Sequence, residues 1–420
     1  MLDLLRENQT YRRLLYGRII TNTGDSLYLI AGSWLVHELT GSAAYTGLAA
    51  ALYLLPSALQ FLTGPFADRV SLRRIFVSTQ LFQGIAILSL PVAAWFDVLS
   101  YPLLLVVIPV LAMTNQFVYP AETAMLSQVV DEEQLVQANT LFSFSYRSID
   151  TMTRAFSGII IAIIGAIPLF VADAATFFLA AVVFSLVSYP DRETDDSSTG
   201  FDEKSIRTTM DEYFVDIRQG ANYLRESLFK FIIAGSLVTN AAIGTSLALL
   251  PKFADNFGGP ATYGFLLTSL SAGVLLGTVV ATLADDFPFG RLTILGFIPG
   301  GVAWTAAILV NVPEIKYVLF GLAWVPIGAF GVYTHTLKQV GVPDEKIGRV
   351  SATYNSATVL TQPLGALFGG TLGELFGVSV VLTAAGAAFL IVATIFLVHT
   401  DLRRLPAAKE TTPEQMHQRA

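Results

Sequence analysis

Gly64-Pro65-Phe66-Ala67-Asp68-Arg69-Val70-Ser71-Leu72-Arg73-Arg74 closes one apolar run, residues 46–67, and opens onto another, 75–95. A run of about 20 apolar residues is long enough to cross a bilayer as a helix, so a short charged turn between two of them reads as a loop between spans. Working outward from this turn gives twelve such runs: 14–39, 46–67, 75–95, 101–125, 139–164, 166–189, 229–250, 261–284, 292–310, 317–337, 351–374 and 376–399. In hydrocarbon every backbone N–H and C=O must be satisfied by the protein itself. Runs of this length fit helices, not the roughly ten-residue alternating strands of a barrel. The expected fold class is an all-α polytopic membrane protein with twelve transmembrane helices.

Composition points the same way. Of 420 residues, 53% are hydrophobic and only 14% are charged, whereas soluble domains carry about 25% charged residues. The mean hydropathy of +0.60 makes lipid the expected solvent. Disorder and an ordinary soluble enzyme are excluded by this balance. With no cysteine, the chain has no disulfides, thiolate metal sites or thiol nucleophiles, and His37, His335, His399 and His417 show no metal-ligand spacing. No metal and no cofactor is therefore expected. A net charge of −7 and a pI near 5.2 speak against nucleic acid as a partner. Met1 to Arg13 is polar and charged, so no cleaved signal peptide is expected.

Basic residues orient the spans. With both termini on the inside, 19 of the 25 Lys and Arg fall in inner segments and only Lys252 and Lys316 in outer ones, while Arg18, Arg147, Arg154 and Lys230 lie within or at the edge of spans. This asymmetry predicts cytoplasmic termini. The polar stretch beginning Asp191-Arg192-Glu193-Thr194-Asp195-Asp196 divides the chain into six spans plus six. The expected organisation is a bundle over 1–190, a linker over 191–228, a second bundle over 229–400 and a cytoplasmic tail over 401–420. In the linker, Tyr213, Ile217, Ala221, Leu224 and Leu228 recur at helical spacing among charges, which predicts an amphipathic helix along the inner membrane surface. The halves also echo one another. Gln128-Val129 and Gly158 return as Gln339-Val340 and Gly369, and Tyr45 and Asp68 as Tyr263 and Asp285, as expected of a repeated six-span unit.

The turn quoted first resembles the signature between helices 2 and 3 of the major facilitator superfamily, G-x-x-x-D-R-x-x-x-R-[RK], at the same position between spans 2 and 3. Leu35-Val36-His37-Glu38-Leu39-Thr40-Gly41, Phe117 to Ala124, Leu135 to Asn139, Asp173 to Phe177 and Gly220 to Arg225 look like the macrolide-efflux and enterobactin-exporter branch. The resemblance runs from Tyr11 to His399. It implies two pseudo-symmetric six-helix bundles and a secondary transporter working by alternating access, with a small-molecule substrate and a coupling ion, most often a proton. It further implies a cytoplasmic gate built from Gly64, Asp68, Arg69, Arg73 and Arg74, with Asp68 facing a helix N-terminus and the arginines binding acidic groups and lipid phosphates. The drug–proton antiporter signature is absent from span 5. Its nearest match is Gln362-Pro363-Leu364-Gly365 in span 11, and span 4 has no Lys or Arg.

An ionisable side chain at a span centre costs about 2.5–3.5 kcal/mol on insertion scales, so each needs a partner, a wet cavity or a function. Span 5 holds Arg147, Asp150 and Arg154 on one helical face, where Asp150 can pair with either arginine and leave one positive charge over. Asp25 in span 1 and Asp173 in span 6 are the candidates to balance it. These five residues are the candidate substrate or proton-coupling site. The bland alternative is a permanently paired Asp150 that only holds helices together. Arg18, two turns before Asp25, is expected to snorkel to the interface. Tyr28, Trp34, Tyr53, Trp324 and Tyr333 either line an amphiphile cavity or serve as packing. Gly365, Gly369, Gly370 and Gly373 form a stripe that lets a second helix approach closely.

The expectation is thus a monomeric, multi-pass plasma-membrane exporter of an amphiphilic or anionic compound, drug- or siderophore-like, from a prokaryote. An importer, a uniporter or a non-transporting receptor with the same fold remain alternatives. An enzyme is not expected, because no catalytic set of groups is present.

Overall fold

The computed structural model describes residues 2–58, 71–189 and 203–417, and all regular structure among them is helical. The chain forms two compact units. The first comprises Met1–Gly41, Leu52–Phe201 and Gly259–Gly264, and the second Ser42–Ala51, Asp202–Gly258 and Phe265–Ala420. The first half contributes α1 (Leu2–Glu7), α2 (Gln9–Thr40), α3 (Ala43–Ala58), α4 (Leu72–Trp95), α5 (Tyr101–Asn115), α6 (Val118–Val129), α7 (Glu132–Ile164) and α8 (Ile167–Ser185). The linker helix α9 spans Glu203–Glu226. It is followed by α10 (Phe229–Asp255), α11 (Gly259–Leu283), α12 (Phe289–Leu309), α13 (Pro313–Val340), α14 (Ile347–Phe376), α15 (Val378–Ala385), α16 (Ala387–Val398), α17 (Thr400–Arg403) and α18 (Pro413–His417).

Two of the apolar runs are broken helices. Span 4 divides into α5 and α6 because Pro120 offers no N–H to the Gln116 carbonyl and its ring crowds that group. Span 12 divides at Gly386, where a side chain would collide with the Trp304 indole, whose N–H donates to the Leu382 carbonyl at 2.7 Å. At the other junctions, capping does the work. Asn8 accepts from the Tyr11 N–H at 2.9 Å to start α2, and Gly41, in the left-handed region at φ 62°, ends it.

In the first unit, Tyr11, Leu14, Phe76, Met125 and Phe184 belong to one buried cluster drawn from α2, α4, α6 and α8. Beside it the carboxyl end of α8 is capped three times: Tyr189 donates to the Phe184 carbonyl at 3.0 Å, Arg73 to Ser185 at 3.2 Å and Arg13 to Leu186 at 2.5 Å. These donors meet the unpaired carbonyls at the negative end of the helix dipole.

In the second unit α14 lies directly on α10. A Cβ at Gly365, Gly369 or Gly373 would run into Ala241, Thr245 or Leu249, and the Thr245 hydroxyl donates to the Gly365 carbonyl at 2.9 Å. Gly370 is turned elsewhere, against Gly47 of the segment that clusters with this unit. Lys316 is 1% exposed and needs no carboxylate. Its ammonium donates to the Ala307 and Ile308 carbonyls at 3.1 and 3.4 Å and sits 4.7 and 3.9 Å from the Phe253 and Phe257 ring centres.

The linker helix has a partner within the protein. It packs on α14 because Gly220 lets its backbone meet Arg349 and Thr353. Asp216 pairs with Arg349 at 2.7 Å, and burial pushes the Tyr223 hydroxyl up to about 12, so it stays a donor to the Gly341 carbonyl at 3.2 Å. The buried stripe is Gly220, Tyr223, Leu224, Ser227 and Leu228, while Ala221 faces out. The segment after residue 400 is folded against the same unit. Met416 and Leu402 are buried, the Leu228 N–H donates to the Met416 carbonyl at 2.9 Å, and Lys409 bridges Asp285 and Asp286 at 2.8 and 2.6 Å.

Gly365→Val forces a branched side chain into the Ala241 backbone and is expected to destabilise by about 1–3 kcal/mol or more. Gly331→Ala, where a Cβ meets nothing within 4 Å, should leave the midpoint within a degree or two of wild type. Thermal unfolding of both variants in detergent checks the pair, and equal losses would refute the close-approach reading.

Candidate functional site: a charged cluster in the first unit

Arg18, Asn22, Asp25 and Ser26 fall on one face of α2, and Tyr146, Asp150 and Arg154 on one face of α7, at the spacing that stacks side chains along a helix. The two faces meet. Asn22 donates to the Tyr146 carbonyl and the Ser26 hydroxyl to Asp150 Oδ1, both at 3.0 Å. Arg154 Nε contacts both oxygens of Asp150 at 3.0 and 2.9 Å, in a pair that is partly buried. α5 adds Asn115, whose amide donates to Asp25 Oδ2 at 3.0 Å. From α8 comes Asp173, fully buried against Gly24, where any side chain larger than hydrogen would displace its carboxylate.

The Asp173 carboxylate thus packs on the residue next to Asp25 in α2. Asp25 Oδ1 and Asp173 Oδ2 are both buried without a hydrogen-bond partner among the described residues. Two buried carboxylates on neighbouring helices thus each keep one oxygen unused.

Arg18 is where the expectation from sequence is corrected. It does not snorkel. Its Nε lies 2.5 Å from Glu122 Oε2 of α6, and both side chains are nearly closed off, at 11% and 13% exposure. Sequence reasoning passed over Glu122, and also Asn115. The available signal was the one used for Asp25: a polar group within an apolar run, here on the run that lacks Lys and Arg.

The other singled-out residues are placed as follows. Arg147 is exposed, one turn from the pair that Arg154 makes with Asp150. The buried and partly buried cluster thus contains Arg18 and Arg154 against Glu122, Asp25, Asp150 and Asp173, and its surplus is acidic. Gly64, Asp68 and Arg69 lie outside the described residues, while Arg73 and Arg74 are exposed at the start of α4. Tyr28 and Tyr53 meet edge to face at 5.9 Å, and Trp34 lies 6.1 Å from Tyr263. Trp324 is core, packed on Trp304 and Phe320. A cavity of about 410 Å³ opens in the second unit between α12 and α13, lined by Gly296, Pro299, Pro326, Phe330 and Tyr333 among others. Its walls are almost wholly apolar.

An all-helical chain of membrane-length spans, with buried charges gathered on facing helices, defines a polytopic membrane protein with an internal polar site. The chain belongs to the transmembrane secretion effector family of the major facilitator superfamily, whose pattern it matches over residues 5–420. It is 23% identical over 413 residues to the multidrug efflux pump Tap of Mycolicibacterium fortuitum, covering 94% of this chain and 97% of that one. It is 22% identical over 404 residues to macrolide efflux protein A of Streptococcus pyogenes, covering 93% and 95%. Among solved structures, a bacterial homologue of the human lysosomal transporter Spinster superposes with a TM-score of 0.68 at 14% identity, covering 98% of both chains. The nucleoside transporter NupG superposes with a TM-score of 0.71 at 12% identity, covering 93% and 98%. The fold is therefore the twelve-helix major facilitator fold, and the protein is a membrane transporter and not an enzyme.

Arg18→Met leaves Glu122 buried without its partner and is expected to destabilise by about 3–5 kcal/mol. Arg18→Met combined with Glu122→Leu should recover most of that loss. A double-mutant cycle by thermal unfolding reads the coupling; additive losses would show that the two side chains do not act as a pair.

Proposed function

We propose that the protein is an efflux transporter which exports a small amphiphilic compound and takes up protons at Asp25 and Asp173. The observation that carries this reading is two buried carboxylates, each with an unused oxygen and neither in an ion pair among the described residues. Two like charges on neighbouring helices in a low-dielectric interior repel, and a proton on one of them removes that repulsion. Opening the pair to water on one side loads the proton, and opening it on the other releases it. Asp150, held by Arg154 and Ser26, keeps α7 in register with α2 while this happens. Efflux as the direction is supported by what the relatives are called, a multidrug efflux pump and a macrolide efflux protein.

The same reading places the protein in a prokaryotic plasma membrane as a monomer with both termini in the cytoplasm, following its basic segments. Two six-helix halves, 1–190 and 229–400, alternate access to the site, joined by 191–228 and followed by 401–420. Gly64, Asp68, Arg69, Arg73 and Arg74 form the cytoplasmic gate, where exposed arginines also meet lipid phosphates. Arg147 is a further cation for substrate or lipid.

Everted membrane vesicles containing the protein should accumulate a radiolabelled macrolide when the lumen is acidified and stop when the gradient is collapsed. Asp25→Asn is expected to abolish gradient-driven accumulation while downhill exchange persists. Accumulation that ignores the pH gradient would defeat proton coupling, and a complete lack of flux for macrolides and other amphiphiles would defeat the transport reading.

A further inference from the structure

Lys338 stands near the end of α13 with only 8% of its surface exposed. Its ammonium makes one hydrogen bond, to Asn355 Oδ1 at 2.9 Å, and lies 4.6 Å from the centre of the Tyr354 ring. None of the ion pairs among the described residues includes it. Lys316, likewise in none of these ion pairs, shows how such a charge is satisfied structurally: two helix-end carbonyls and two aromatic faces enclose it. An ammonium has three protons to donate, and Lys338 uses one of them on a neutral amide. A buried cation left in this state is costly and marks a site where an anion is supplied from elsewhere.

The surroundings suit that anion. Asn355 is exposed, so the ammonium lies just beneath the protein surface. Further polar side chains, paired with one another, continue along the same helices. Ser236 of α10 bonds to the Tyr354 hydroxyl, and one turn on, Gln362 donates to Asn240 at 2.6 Å. Hydroxyls and amides line this face of α10 and α14, while the carboxylates of those helices, Asp255 and Glu374, lie at their far ends.

We propose that Lys338 is an anion-binding subsite of the second unit, with Asn355 beside it, which takes the carboxylate or phosphate head of an amphiphilic substrate. A lysine ammonium is a point charge without the planar fork of arginine, so it accepts either head group. The inference rests on the transport reading for the role of the bound anion. It assigns substrate charge to the second unit and leaves proton uptake to the acidic pair in the first.

The test is binding, which separates it from flux. The protein in phosphatidylcholine nanodiscs is titrated with decanoate, decyl phosphate and decanol, three ligands with one tail, and thermal stabilisation is read. The two anions should bind the wild type more tightly than decanol does. Lys338→Met should weaken both anions by roughly tenfold, the loss of one charge-assisted hydrogen bond, and leave decanol unchanged. Lys338→Arg should retain most of the preference, which also answers a folding defect in the methionine variant. Equal binding of anions and decanol by wild type, or an undiminished anion preference in Lys338→Met, overturns the proposal. So does a wild type that phosphatidylglycerol in the disc stabilises while suppressing the decanoate response, since the anion would then be a lipid head group. Vesicles that move no compound while this anion preference holds would count against transport and not against the site.

Discussion

Charge in this protein is governed by the absence of water inside the spans, and the pair made by Arg18 and Glu122 shows what that demands. At 2.5 Å and nearly closed from solvent, neither ion could stay where it is without the other. The pair also sets the geometry around it. It ties α2 to α6 just beyond the break at Pro120, and on the same face of α2 the next turns carry Asn22, Asp25 and Ser26 to their partners on α5 and α7. The polar face of α2 is thereby fixed in rotation, and Gly24 is brought onto Asp173.

The same constraint acts on the backbone. Helix ends leave carbonyls unpaired, and here side chains meet them: Arg13, Arg73 and Tyr189 at the end of α8, Lys316 at the end of α12, Trp304 beside the break between α15 and α16. Arg73 thus has a structural partner in addition to any part in a gate. Where helices cross closely, glycines remove the obstacle, as Gly365, Gly369 and Gly373 do between α14 and α10. Without strong hydrophobic driving force in lipid, such close backbone approach is what holds helices together.

The two units use ionisable groups differently. The first gathers an acidic surplus, with Asp25 and Asp173 each keeping an unused oxygen. The second buries single lysines, one enclosed by carbonyls and rings at Lys316, the other underused at Lys338. On the reading proposed above, proton uptake and substrate charge fall on separate elements and so escape mutual neutralisation.

Much of this was legible before any coordinates. Twelve runs of membrane length define the helices, because hydrocarbon leaves the backbone no other satisfied form, and Asp25, Asp150, Arg154 and Asp173 stand out because a charge in such a run is costly wherever it points. Partners were not legible. Sequence spacing offers Asp150 two arginines equally, and only the packing of α7 on α2 selects Arg154 and leaves Arg147 exposed. Arg18 read as a snorkelling residue because its distance from Glu122 along the chain hides their distance in space, and the apolar stripe of the amphipathic linker helix fits a membrane or a helix alike. Docking on α14 was decided by Gly220, whose missing side chain allows a contact that no periodicity announces. Local pattern thus specified which residues must be buried, since burial depends on each residue's own transfer energy, while pairing depends on positions of other helices and was settled only by the folded chain.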